Sequence, residues 1–210
     1  MGLAHRAIAS DKEHEFGLWL DFREGESLPN EASPWSRLCR VADRCVRAVD
    51  LGQWDFVLWV DADVIDYPAD VCSRLLSVNP TGITAPLPLI EGTPRLYDTA
   101  ACIQKGTDGV APNTPGNIAG RNLKHDAPYW HDFDGHPLPQ QERFVEMDVV
   151  GMMFLAPADI FSMAGVPDHP AFTGWYGVCK LARECGLKVG IDTYTVALHA
   201  DLPKHGHEWH

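Results

Sequence analysis

Phe56-Val-Leu-Trp-Val60, followed by Asp61-Ala62-Asp63, decides the fold. The five apolar residues form the short continuous run expected of a strand buried on both faces. In open α/β sheets, ligands collect just beyond the carboxyl ends of the strands, and here two carboxylates leave such an end one residue apart. Both can reach one divalent cation, directly or through water, and hard carboxylate oxygens suit Mg²⁺ or Mn²⁺. A cation so held neutralises a diphosphate. Two solvated aspartates in a turn, or caps for the next helix, are the plain alternatives.

Before this stretch, Ser33-Pro34 announces a helix in which Leu38, Val41, Ala42, Cys45, Val46 and Val49 follow the 3.6-residue period. Arg37, Arg40, Arg44 and Arg47 fall largely on its other face, and Leu51-Gly52 stops it. After it, Pro68 opens a helix to Val78 with Val71, Cys72, Leu75 and Leu76 as its buried stripe. Strands are expected at 15–22, 82–85 and 96–103, and 144–156 reads as strand-rich. Pro157 then starts a short helix ended by Gly165, and 174–185 is a helix closed by Gly186. Strand segments at 187–191 and 194–198 lead to His199. Residues 104–140 are rich in Gly, Pro, Asn and Asp and suit a binding loop or lid. Alternating strands and helices favour an α/β sheet.

The 17 Lys+Arg against 29 Asp+Glu leave a net charge of -12 over 210 residues, a length suited to a single domain. That balance argues against binding to nucleic acid or to an anionic membrane surface, which would need a basic field. No apolar run is long enough for a membrane span and no secretory leader is visible, so a cytoplasmic location is expected. The six cysteines form no CxxC pair and are expected as buried free thiols.

The order of motifs is more specific than any one of them. A helix carrying arginines precedes DFVLWVDADVIDYPADV; then come Tyr97-Asp98, Val145-Glu-Met-Asp148-Val-Val-Gly151, Ala158-Asp159-Ile160-Phe161, a helix ending Glu184-Cys-Gly-Leu, and a strand ending in His199. From about Arg37 to Asp201 this order resembles the fungal Golgi α-mannosyltransferase family of mannan-polymerase subunits. Two segments depart from that family's pattern, Tyr97-Asp-Thr-Ala-Ala101 and Phe172-Thr-Gly-Trp175.

The resemblance implies a GT-A (nucleotide-diphospho-sugar transferase) fold, a Rossmann-like mixed sheet flanked by helices. It implies a nucleotide-binding half over residues 1–103 and an acceptor-side half over 104–210. It implies transfer of a hexose, with retention, from a nucleotide-diphosphate sugar (GDP-mannose or a UDP-sugar) to a glycan or small-molecule acceptor. Residue by residue, Asp61 and Asp63 would bind Mn²⁺ or Mg²⁺ and the donor diphosphate, and His199 would be a further metal ligand. Asp148 would lie near the donor sugar and acceptor as the catalytic acidic residue. Arg44 or Arg40 would face the nucleotide. Tyr97, Trp130, Trp175 and Tyr176 are candidates for stacking on a sugar or base, with aromatic core packing as the alternative for each. For Asp148 a turn at a strand end, and for His199 a solvated tail shared with His205, His207 and His210, are the alternatives.

Two other functions stay open. Val60-Asp61-Ala-Asp63-Val-Ile also resembles the first motif of haloacid-dehalogenase-like phosphatases, in which Asp61 would be the nucleophile and Asp63 the acid/base. A non-catalytic nucleotide-sugar-binding protein is the third. Association into homo-oligomers is open as well.

Overall fold

The apolar run is strand β1 (Phe56–Val60), and it pairs antiparallel with β8 (Met153–Pro157), from Phe56 opposite Pro157 to Val60 opposite Met153. The structure, a computed structural model, describes residues 34–92, 103–104, 124–126, 129–131, 143–167 and 174–200; of these, 34–38, 103–104, 124–126, 129–131 and 174 are described by backbone alone.

A mixed, open, seven-stranded sheet is built in the order β1-β8-β3-β9-β7-β4, with β2 (Val64–Asp66) on β9. The remaining members are β3 (Ile83–Ile90), β4 (Ile103–Gln104), β7 (Phe144–Val149) and β9 (Val189–His199). Strands from before residue 104 and after residue 143 are interleaved. β8 is antiparallel to both β1 and β3, and β3 is parallel to β9. The carboxyl ends of β1, β3 and β9 therefore point to one edge of the sheet.

Helices cover both faces. Helix α1 (Pro34–Arg47), α3 (Ala158–Ala164) and α4 (Gly174–Glu184) pack on one, through Ala42, Val46, Phe161, Val178 and Cys179 against Ile83, Leu87, Phe154 and Ile191. Helix α2 (Val71–Val78) packs on the other, through Val71, Cys72 and Leu75 against Met153, Leu155 and Ala197. β8 shows why both layers form: Phe154 and Ala156 face the first, Met153 and Leu155 the second, as the two-residue period of a strand requires. No helix among the described residues is long and apolar enough to cross a membrane.

Several expectations are corrected. All five residues of β1 are half-buried rather than buried, because among the described residues β1 ends the sheet. Among the described α1 side chains, Cys39, Ala42 and Val46 are buried, whereas Val41 is 41% exposed; the helix ends at Arg47, and Leu51-Gly52 falls in a separate 3₁₀ turn. The 82–85 strand runs on through Pro86 and Pro88 to Ile90. Pairing with β8 is confined to Thr84, and a bulge lies between Pro86 and Leu87, so the prolines need not donate to a regular ladder. The two segments expected at 187–191 and 194–198 are one bent strand, β9.

The 104–140 region contains a two-stranded sheet, β5 (Lys124–Asp126) with β6 (Tyr129–His131). The strands expected at 15–22 and over 96–102 lie outside the described residues. The described cysteines are free thiols: Cys39, Cys72 and Cys179 are buried, Cys45 is intermediate and Cys185 is exposed, contrary to expectation. Gly165 and Gly186 do end their helices, at φ 60° and 79°.

Candidate functional site

The aspartate pair sits in a turn held from both sides. Val64 N–H donates to Asp61 C=O at 3.2 Å, closing a four-residue turn immediately after β1. Asp61 N–H donates to Met152 C=O at 2.8 Å, and Ala200 N–H donates to Asp63 C=O at 3.0 Å. The loop entering β8 and the exit of β9 thus pin the turn at its two ends. Met152 itself has φ 59°, and Met153 N–H donates to Gly151 C=O at 2.6 Å, a three-residue turn around a residue in the left-handed region. A non-glycine residue held there marks local strain, which clusters at functional sites. Sequence reasoning did not single out Met152; a fixed positive φ at methionine leaves no compositional trace.

The structure brings Asp63 and His199 together. Asp63 Oδ2 lies 2.7 Å from His199 Nε2, with the imidazole 1% and the carboxylate 37% exposed. The other ring nitrogen, Nδ1, lies 2.7 Å from Ala200 C=O. A carbonyl can only accept, so Nδ1 is the donor in that contact; Nε2 faces the aspartate, and because a carboxylate oxygen also only accepts, their close approach needs a proton, or a cation in its place, between them. Backbone anchoring of one imidazole nitrogen is the usual device for presenting the other to a metal. His199 is fully buried, which excludes the solvated-tail alternative.

Asp61 faces elsewhere. Its Oδ1 accepts a hydrogen bond from Trp59 Nε1 at 2.6 Å. Trp59 belongs to the face of β1 covered by α1, α3 and α4, whereas Ala197, two residues before His199, belongs to the face covered by α2. The two aspartates therefore leave the sheet edge toward different layers. Among the described residues, no three His, Cys, Asp or Glu side chains gather as a metal cluster. Asp63 and His199 form a carboxylate–imidazole pair with Asp61 two residues away. These are two donors, one carboxylate and one imidazole, so a cation held there would have to take most of its shell from substrate oxygens and water, and the imidazole suits Mn²⁺ better than Mg²⁺.

The remaining expected residues are placed separately. Asp148 lies within β7, only 3% exposed, with Oδ1 3.2 Å from Arg183 Nη1 on α4. It is a strand residue buried beside a cation, not a turn residue. Arg40 and Arg44 line a cavity of about 630 Å³ with Asp43, Arg47, Val166 and Pro167. The turn at 61–63 and His199 are not part of its lining. Trp175 is 7% exposed and packs in the core, Tyr176 is half-buried, and Tyr97 and the Trp130 side chain lie outside the described residues.

Elsewhere, burial pushes the Cys179 thiol up to about 12, far from an ionisable nucleophile. Burial likewise raises the Tyr67 hydroxyl to about 12. No family profile matches this chain, and no curated protein matches it either.

Proposed function

We propose that this chain is a metal-dependent GT-A-type glycosyltransferase that moves a hexose from a nucleotide-diphosphate sugar to a glycan or small-molecule acceptor. The observation that carries the reading is the 2.7 Å approach of Asp63 Oδ2 to His199 Nε2 at the edge where β1, β3 and β9 end. A carboxylate and an imidazole anchored to the backbone through Nδ1, distant in sequence, meet where α/β sheets collect ligands.

In this reading Asp63 and His199 would hold Mn²⁺ or Mg²⁺, with diphosphate oxygens and water completing its shell, while Asp61 is turned to Trp59. The bound ion supplies Lewis-acid stabilisation of the charge that develops on the leaving diphosphate. The backbone bonds of the 61–64 turn hold the main chain from which both carboxylates project. Asp148, held by Arg183, is proposed to stabilise the oxocarbenium-like centre or to position the acceptor. Arg40 and Arg44 offer guanidinium groups for phosphate or base in a chain whose overall charge repels anions.

Calorimetric titration with UDP and GDP, with and without Mn²⁺, tests this. Binding should require Mn²⁺ and weaken at least about tenfold in Asp63→Asn and in His199→Gln, each costing about 1.4 kcal/mol or more. Unchanged affinity in both folded variants refutes the reading. Turnover of an aryl phosphate with Mg²⁺, with a phosphoryl-aspartate mimic trapped by beryllium fluoride, would replace it with the phosphatase.

A further inference from the structure

We infer that the cavity beside α1 is an anion site of its own, which takes a phosphate-bearing small molecule without a metal ion through Arg40 and Arg44. The inference goes beyond the proposed function and does not need a cation at the sheet edge. The cavity measures about 630 Å³, a size that suits a small ligand. Arg40, Arg44 and Arg47 line it together with Asp43, Val166 and Pro167. Spacings of four and three residues put the three arginine positions on one helix face, each a turn from the next.

Asp43, the carboxylate of that lining, is committed to the protein itself. Its Oδ2 accepts from Arg47 Nε at 2.7 Å and its Oδ1 from Val166 N–H at 2.8 Å. The pair is seated on Gly165, where a Cβ would lie 2.7 Å from Arg47 Nη2, so Asp43 and Arg47 build one wall. Three cations thus meet one carboxylate, and among the described residues the lining carries an excess of positive charge in a chain of net charge -12. Arg40 and Arg44 each have a partner in the protein as well. A guanidinium carries five N–H donors, and a few of them on neighbouring turns suffice for an oxyanion. Arg44 is half-buried with its Nε shielded from water, so its charge is screened less than that of a solvated arginine. Like charges one turn apart repel. The helix dipole offsets this for Arg44 and Arg47 in the last turn, but not for Arg40 a turn earlier. An oxyanion between Arg40 and Arg44 offsets it for both. The same net charge keeps the chain off an anionic membrane, so the phosphate is one carried by a molecule in solution.

Pyrophosphate titrated by calorimetry into the protein with a chelator present, at about 0.15 M salt, tests the inference. One saturable site is expected. Arg40→Gln and Arg44→Gln should each weaken it about tenfold. Arg44→Lys keeps the charge and loses the planar fork, and its affinity should fall between wild type and Arg44→Gln. Arg74→Gln removes the same charge from α2, on the opposite face of the sheet, and should stay within about twofold of wild type. Asp63→Asn should bind as wild type does, because no metal takes part.

No metal-free pyrophosphate binding by the wild type overturns the inference and leaves the proposed function standing, since that is read with Mn²⁺ and a nucleotide. Equal losses in Arg74→Gln and Arg44→Gln assign the binding to overall charge and overturn it too. A loss in Asp63→Asn with both arginine variants unchanged places the anion at the sheet edge and likewise overturns it. Should Arg44→Gln not fold, Arg40→Gln decides, since Arg40 is an exposed side chain; wild-type affinity in that variant overturns the inference.

Discussion

Replacing Asp192 should show how the strand that carries His199 is held. Asp192 is fully buried at the bend of β9, where the register against β3 shifts from the pair Pro86–Asp192 to the pair Leu87–Val196. Its carboxylate accepts from Thr195 Oγ1 at 2.7 Å, from Tyr194 N–H at 3.1 Å, and from Arg143 Nε and Nη2 at 3.2 and 3.3 Å. Alanine would leave the Thr195 hydroxyl and the Tyr194 amide without this acceptor, each costing about 1–3 kcal/mol where water cannot reach. The Arg143 side chain is 44% exposed and can return to solvent cheaply. The expected loss for Asp192→Ala is therefore about 3–5 kcal/mol, most of it from the two local donors. In Arg143→Ala those two bonds remain and water takes the place of the guanidinium, for about 1–2 kcal/mol. Urea unfolding followed by circular dichroism measures both. A loss in Arg143→Ala as large as in Asp192→Ala would refute the argument, because the ion pair and not the local bonds would then hold the bend.

Two further outcomes are expected. Gly165 sits at φ 60°, ψ −141°, and a Cβ there would lie 2.1 Å from Asp43 Oδ1, the acceptor of Val166 N–H at 2.8 Å. Gly165→Ala should therefore cost about 2–4 kcal/mol through backbone strain and the displaced carboxylate, and a thermal melt unchanged from wild type would contradict this. Cys179 keeps its proton in the fold up to about pH 12, whereas the unfolded thiol ionises near 9.0. Its contribution is intact below pH 9 and is lost as pH rises toward 12, with on the order of 1 kcal/mol gone by pH 10. Comparing unfolding at pH 8 and pH 10 in wild type and Cys179→Ala checks the sign; an equal fall in the two proteins would assign the loss to other groups.

What was legible locally came from short-range chemistry. A continuous apolar run ending in two aspartates places a strand and its polar tip, because each residue's preference is set by its immediate neighbours. Gly165 and Gly186 end their helices at positive φ, where side chains bearing a Cβ are disfavoured. Pro157 marks the boundary before a helix rather than its first residue: it ends β8 in extended backbone, and the helix starts at Ala158.

The joining of distant parts was decided by the tertiary structure. Local periodicity cannot say that β3 continues through two prolines, since that depends on which neighbour it pairs with and where the bulge falls. Nor can it say that two short segments are one bent strand that buries His199 against Asp63, since that strand's register is set across the sheet by residues more than a hundred positions away. The divergence of Asp61 toward Trp59 and of Asp63 toward His199 follows from which sheet face each position continues, and strand pairing settles that. Sequence alone offered Asp61, Asp63 and His199 as candidates; only the folded sheet decided that Asp63 and His199 stand together and that Asp61 turns to Trp59.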